Sequence, residues 1–165
     1  MLDNILGTIL KKENMLHTEL DKYIAEARKN GYKSTLKVLQ LVKAEFQKFL
    51  TSSKDAKLDE VQEAKILLKM KDQWLDELQT REKAGRDTTE LRSDVELLTG
   101  YIPALPTTED IESYTREAVT AYKTTMPDGY ALSMRDMKPI MSIVKEKYPL
   151  ADGKVISQVV RSILQ

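Results

Sequence analysis

The stretch LLTGYIPALPTTED, residues 97–110, separates two regions of different sequence pattern. Pro103 and Pro106 interrupt the helical spacing found on either side, because a proline disfavours the α-helical conformation at the residue before it. We therefore predict a hinge at this junction. It divides an N-terminal long-helix subdomain, residues 1–100, from a small C-terminal helical subdomain, residues 101–165.

Four amphipathic helices are predicted before the junction, since apolar residues recur there every three or four positions. They cover residues 2 to about 29, a second run from Ser34, a third from Asp59 to near Ala84, and a fourth from about residue 91. Asp87 and Glu90 are expected to form a capping box for the fourth helix. The predicted inward-facing residues are Leu2, Ile5, Leu6, Ile9, Leu16, Leu20, Tyr23, Ile24, Ala27, Leu36, Leu39, Val42, Phe46, Phe49, Val61, Ala64, Leu68, Leu75, Leu78, Leu91, Val95 and Leu98.

Three shorter helices are predicted after the junction. The run TTED at residues 107–110 caps the first, and Asp136 is the expected N-cap of the second, which makes Pro139 harmless because first-turn amides have no helical partner. Asp152 and Gly153 begin the third, as an N-cap and a turn glycine. The predicted core residues are Ile111, Tyr114, Ala118, Ala121, Tyr122, Met137, Ile140, Met141, Val144, Val155, Ile156, Val159, Val160 and Ile163. Without alternating strand patterns, the fold class is all-α and multihelical, with a long-helix bundle or hairpin followed by a three-helix domain.

Composition excludes several functional classes. The 165 residues include 26 basic and 26 acidic side chains, so the chain is not a globally basic nucleic-acid binder. The absence of cysteine excludes disulfide scaffolds, thiolate zinc sites and cysteine nucleophiles. Charge is unevenly distributed: residues 1–50 hold 9 basic and 6 acidic side chains, residues 51–128 hold 11 and 17, and residues 129–165 hold 6 and 3. The two ends could therefore face an anion, although a solvated helix surface explains the pattern about as well.

The common catalytic templates are not matched. Neither P-loop nor dinucleotide-binding glycine spacing occurs, and His17, the single histidine, is interpreted as a helix-surface or satisfied interface residue. Asp59, Glu60 and Glu63 are interpreted as solvated carboxylates on a polar helix face. The methionines are interpreted as core gap-fillers. We expect no catalytic residues, no metal site and no cofactor.

No targeting or membrane-spanning pattern is recognised. The apolar run at residues 1–10 contains Asp3, is followed at once by Lys11 and Lys12, and is too short to span a bilayer. We expect a cytoplasmic protein that does not bind membranes.

Several segments are more distinctive than their periodicity. The junction at 97–103, followed by Leu105, Thr108 and Glu109, and the segments at 136–141 and 151–160 resemble the YqeY-like proteins, which are related to the C-terminal tail of the GatB subunit of the aspartyl/glutamyl-tRNA amidotransferase. Residues 35–39 with Lys43 and Ala44 resemble the second helix of that family, and residues 83–87 its turn between the long helices. The resemblance covers nearly the whole chain and implies an all-helical fold in two parts.

The resemblance also implies a function. GatB tails contact tRNA, and related appendages on some glutaminyl-tRNA synthetases help to hold tRNA. The amidotransferase's ATP-dependent and glutaminase sites lie elsewhere, so the family label of carbon–nitrogen ligase with glutamine as amido donor would apply without catalytic residues in this chain. The implied partners are tRNA and an aminoacyl-tRNA synthetase or amidotransferase complex. The oligomeric state is left open.

A candidate RNA-binding surface lies on the last two predicted helices. Polar residues at helical spacing on each, and a helix N-terminal amide without side-chain obstruction, suit recognition of phosphates and 2′-hydroxyls. Tyr130 or Tyr148 could stack on a base. The candidate RNA-binding residues are Lys138, Lys145, Gly153, Lys154, Gln158 and Arg161, with Ser142 beside them.

Two other hypotheses remain beside a non-catalytic tRNA-binding module. One is a helical protein-interaction adaptor without RNA binding, which an exposed apolar patch on residues 1–50 would favour. A basic surface joining Lys37 and Lys43 to Lys154 and Arg161 would favour RNA binding. The third hypothesis, an enzyme in its own right, is the least favoured.

Overall fold

The structure is a computed structural model that describes residues 15–165. Over this range the chain forms seven α-helices and one 3₁₀ turn, with no strand, so the all-α prediction is confirmed. The predicted helix at residues 2–29 is confirmed from Leu16 onward, and its predicted core positions Leu2, Ile5, Leu6 and Ile9 lie outside the described residues. The helices are α1 Leu16–Lys29, α2 Lys33–Leu50, α3 Glu60–Lys83, α4 Thr89–Tyr101, α5 Thr108–Thr124, α6 Met137–Lys147, which follows the 3₁₀ turn Met134–Asp136, and α7 Gly153–Leu164.

The chain divides into two compact units, a first unit that ends at Pro103 and a second unit that is Ala104–Gln165. In the first unit α1 packs on α2, α3 packs on α4, and α2 contacts both α3 and α4. In the second unit α5, α6 and α7 pack on one another pairwise. Each unit encloses its own cluster of buried apolar side chains.

The buried face of α3 differs from the predicted one. Leu67 and Met70 are buried, whereas Leu75 is 41 % exposed and Leu68 is only half-buried. The periodic spacing identified the helix, but of its five predicted core positions only Ala64 is buried. On α2 the prediction is confirmed, since Leu39, Val42 and Phe46 are buried and Val38, on the flank of the same stripe, is fully buried.

Glu63 is buried, so its interpretation as a solvated carboxylate was wrong. From α3 it accepts hydrogen bonds from the backbone N–H of Leu16 at 3.0 Å and of His17 at 2.7 Å. The Nδ1 atom of His17 also lies 2.5 Å from Glu63 Oε1. Because Met15 provides no side-chain cap, a carboxylate from another helix satisfies the first amides of α1, where the helix dipole also favours a negative charge. His17 is thus a satisfied interface residue, as predicted.

The predicted capping box of α4 is also wrong. Asp87 accepts hydrogen bonds from the backbone N–H and the hydroxyl of Thr89, at 2.9 and 2.7 Å. Glu90 does not reach back, because its carboxylate accepts a hydrogen bond from Lys37 on α2. A pairing between helices therefore replaces the local motif.

Two predicted helix starts in the second unit are confirmed. Thr107 and Asp110 form a capping box at α5, and the Asp152 carboxylate accepts a hydrogen bond from the backbone N–H of Lys154 at 2.8 Å. Gly153 is the first residue of α7 and does not adopt a positive φ. Gly153 therefore does not act as the turn glycine that the sequence predicted.

Asp136 precedes α6 as expected, but its side chain does not cap that helix. It points inward and accepts hydrogen bonds from the backbone N–H of Ser133 at 2.9 Å and from the hydroxyls of Tyr130 and Tyr122 at 3.0 and 3.3 Å. These bonds, the Ser133 amide foremost, lower the pKa of Asp136. Pro139 is the third residue of α6, where no helical donor is lost.

Candidate functional site

The six predicted RNA-binding residues all lie in the second unit, on α6 and α7. Lys138, Lys145, Lys154, Gln158 and Arg161 are exposed, and Gly153 is half-buried. On each helix the apolar residues that fill the core leave the opposite side to these polar groups. The buried residues that fix the two orientations are Ile140 and Val144 on α6, and Ile156, Val159 and Val160 on α7.

A groove of about 440 Å³ runs along the exposed side of α6 and the preceding 3₁₀ turn. We call it the α6 groove. Its lining residues are Met134, Arg135, Met137, Lys138, Met141, Ser142 and Lys145. Methionine side chains and three cations therefore share one concave surface, and no carboxylate contributes to its lining.

Lys145 and the N-terminus of α7 come together. A Cβ atom built on Gly153 would lie 3.9 Å from both Cε and Nζ of Lys145. The Lys145 ammonium group thus lies close to the positive end of the α7 dipole. The two positive charges repel each other unless a negative charge is nearby. Asp152 provides one such charge where its carboxylate caps the Lys154 amide.

The cations of this surface differ from those of the first unit in their pairing. Among residues 15–165, no ion pair involves Lys138, Lys145, Lys154 or Arg161. No carboxylate of the described residues therefore forms an ion pair with any of these four charges.

Lys37 and Lys43, by contrast, are already neutralised. Lys37 donates to Glu90 at 2.6 Å and to the buried Asp94 at 2.7 Å, and these bonds, that to Asp94 first, raise the pKa of the lysine. Lys43 donates to Asp21 at 2.6 Å. Neither lysine supports the extended basic surface considered from the sequence, because each is matched by a carboxylate of its own unit.

The two tyrosines expected to stack on a base are half-buried and have partners within the second unit. The Tyr130 hydroxyl donates to Asp136, and that hydrogen bond raises the pKa of Tyr130. Tyr148 packs edge-on against Tyr114, with ring centroids 5.6 Å apart and an interplanar angle of 81°. The Tyr130 hydroxyl and the Tyr148 ring thus each have an internal contact, and the expectation that either ring stacks on a base stays a prediction.

Sequence reasoning missed the methionine lining of the α6 groove. Met137 and Met141 are half-buried and pack against the core of the second unit, as predicted, whereas Met134 is 44 % exposed. Their spacing, with Lys138 and Lys145 between and after them, was the available signal for a mixed apolar and basic surface.

Across residues 15–165, no three histidine or carboxylate side chains are grouped as metal ligands would be. No helix in this range is both long and apolar enough to cross a bilayer.

No curated protein matches the chain. A family model does match: the one described as Yqey-like protein covers residues 17–164, which includes the junction, both helices of the candidate surface and nearly all of the described chain. The resemblance first noted at the junction and in the last two helices is confirmed over this range, and the chain belongs to the YqeY-like protein family.

Proposed function

We propose that this chain is a non-catalytic tRNA-binding accessory module that resembles the tail of the GatB amidotransferase subunit. The observation that carries the proposal is the set of exposed, unpaired cations on α6 and α7. Four of them belong to the predicted RNA-binding residues, namely Lys138, Lys145, Lys154 and Arg161.

A surface of unpaired cations can bind phosphates electrostatically. A lysine or arginine that lacks an intramolecular partner can neutralise a phosphate and release its condensed counterions without first breaking an ion pair. Four such contacts would give a slope of about −3 in a plot of log affinity against log salt concentration. The Gln158 amide and the Gly153 N–H add uncharged groups that can donate hydrogen bonds to ribose or phosphate oxygens.

The GatB resemblance supports the choice of tRNA and the accessory role. In the amidotransferase the ATP-dependent and glutaminase chemistry lies outside the tail, so the carbon–nitrogen ligase label describes the complex. We infer that this chain acts in the cytoplasm, alone or beside an aminoacyl-tRNA synthetase or amidotransferase, and contributes contacts to tRNA without catalytic groups.

The direct test is fluorescence anisotropy of labelled total tRNA with the purified chain across a salt series. The double variant Lys154→Glu/Arg161→Glu removes two of the four contacts and should reduce the salt slope by about 2. Lys54→Glu/Lys57→Glu is the matched control, since it makes the same charge change at exposed loop positions of the first unit.

The proposal requires the first variant to lose affinity and the control to retain it. No binding at low salt, or equal losses in the two variants, would exclude a specific tRNA site on α6 and α7. Equal losses would mean that net charge alone governs the association.

A protein-interaction adaptor is the second candidate, and one observation favours it. Leu41 on α2 is 41 % exposed, and by helical spacing it lies on the same side of α2 as Glu45 and Lys48, which help to line a second groove of about 220 Å³. Sedimentation velocity over a wide concentration range tests self-association through this face. Dimerisation that Leu41→Asp abolishes would favour the adaptor, whereas a monomer at all concentrations would argue against a second copy as its partner.

A further inference from the structure

The α6 groove is a concave surface lined by methionines as well as cations, and electrostatic binding of phosphates requires neither the concave shape nor the methionines. Its volume of about 440 Å³ lies within the usual range of small-ligand pockets. The groove is therefore large enough to hold one aromatic group of small-molecule size.

Its methionines supply an apolar and polarisable contact surface. Thioether sulfurs make favourable contacts with aromatic rings, and the flexible side chain adjusts to the outline of the ring. Met134 has the most exposed side chain of the three lining methionines and so the most surface to offer a ligand.

The cations around these methionines fix the charge of the ligand. Arg135 has a planar guanidinium that can stack on an aromatic face, and Lys138 and Lys145 are point charges about one and about three helical turns further along. A group that is aromatic in the middle and anionic on both sides satisfies all three cations. A nucleotide within a polynucleotide chain has this arrangement.

We propose that the α6 groove receives one unstacked base of a single-stranded RNA segment, packed between Arg135 and the methionines, while Lys138 and Lys145 contact the flanking phosphates. The inference rests on the proposed function, because it names the part of an RNA that the same surface recognises. Bases within a duplex remain stacked and paired, so a duplex cannot fill the groove.

Methyl NMR tests the inference on the intact chain. The chain has seven methionines, and labelling their methyl carbons gives separate probes of the groove and of the rest of the molecule. A short uridine-rich single strand should shift the methyl signals of Met134, Met137 and Met141 through the ring current of the base. Met70, buried in the first unit, is the internal reference. The same strand annealed to its complement should leave the groove methyls unshifted.

A binding measurement with matched variants provides the second test. Met134 and Leu105 are exposed to nearly the same extent, 44 % and 45 %, and only Met134 lines the groove. Met134→Ala should weaken single-strand binding about threefold, the usual scale of a sulfur–aromatic contact, whereas Leu105→Ala should not change it. Circular dichroism of each variant shows whether the helices are retained.

The outcomes separate this inference from the proposed function. RNA binding with equal affinity for single strand and duplex, and without shifts of the groove methyls, would overturn the inference and leave phosphate-directed binding intact. No RNA binding at low salt would overturn both. Groove shifts with a glutamate-rich peptide but not with the single strand would overturn the inference in favour of a protein ligand.

Discussion

At the scale of single residues, the departures from sequence expectation share one cause. Glu63, predicted on a solvated face, and Asp136, predicted as an N-cap, are both buried, and each accepts a hydrogen bond from a residue on another helix. Periodicity assigns a charged residue to solvent because local spacing contains no information about a distant donor. Buried carboxylates are therefore the positions where single-sequence reasoning is weakest.

Glu63 gives the first prediction. Glu63→Ala should lower the free energy of unfolding by about 3 kcal/mol, because it leaves the buried first amides of α1 without an acceptor. Urea denaturation measures the change. Glu60→Ala, an exposed acidic residue in the same helical turn, is the control and should cost less than about 1 kcal/mol. Similar losses in both variants would show that Glu63 does not act as the cap of α1.

Asp136 gives a pH prediction. Its pKa is lowered in the folded state, so its contribution to stability is present above the ordinary Asp pKa of about 3.9 and is lost as the pH falls through the lower folded value. The stability difference between the parent and Asp136→Asn should therefore shrink as the pH is lowered through this window. Urea unfolding of both proteins between neutral and strongly acidic pH tests this, and a difference that is constant with pH would contradict it.

At the scale of elements, the sequence predicted helix number, approximate bounds and most buried faces well after residue 15, and the face of α3 is the main exception. Helical spacing is a local property, whereas the buried side of α3 depends on how α1 and α4 pack on it. The candidate site likewise has a part that local spacing predicts and a part that depends on packing. The exposure of Lys154 and Arg161 followed from helix spacing, but the α6 groove depends on the 3₁₀ turn that places Met134 and Arg135 beside α6.

Removal of the Asp152 cap of α7 should lower stability and raise tRNA affinity. Asp152→Ala should lower the stability of the second unit by about 1 kcal/mol, because it removes the acceptor of the Lys154 amide. Under the proposed function it should also strengthen tRNA binding about twofold, since a carboxylate beside Lys145 and Gly153 is removed.

Thermal unfolding and anisotropy measure the two effects of the Asp152 change. Glu117→Ala, at an exposed position of α5, is the control for loss of one negative charge from the same unit. Weaker tRNA binding by Asp152→Ala, at a temperature where it remains folded, would count against a phosphate site at the start of α7.

At the scale of the whole molecule, the two units have separate cores. Leu98 and Tyr101 belong to the buried cluster of the first unit, and Ile111 to that of the second, so the change of cluster falls within the Pro-containing junction. The hinge predicted there stays a prediction. Each cluster is formed only by side chains of its own unit, which is the usual condition for independent folding.

The last prediction follows from these separate cores. A fragment of residues 104–165 should fold alone into three helices, although about 60 residues is near the lower limit for a single core. Cooperative thermal unfolding by circular dichroism and dispersed methionine methyl signals would establish this. A helical fragment without a cooperative transition would show that the second unit depends on the first.

At position 153, stability favours alanine and the proposed tRNA binding favours glycine, and selection experiments can distinguish the two preferences. Unlike Gly85, whose φ of +64° disfavours any side chain, Gly153 has ordinary helical geometry, and an added methyl would meet only the end of Lys145 at 3.9 Å. Alanine would restrict the unfolded chain and stabilise the protein by about 0.5 to 1 kcal/mol. A library selected only for thermal resistance should therefore replace this glycine, whereas a library selected for retention of tRNA should keep it if the bare amide contacts phosphate.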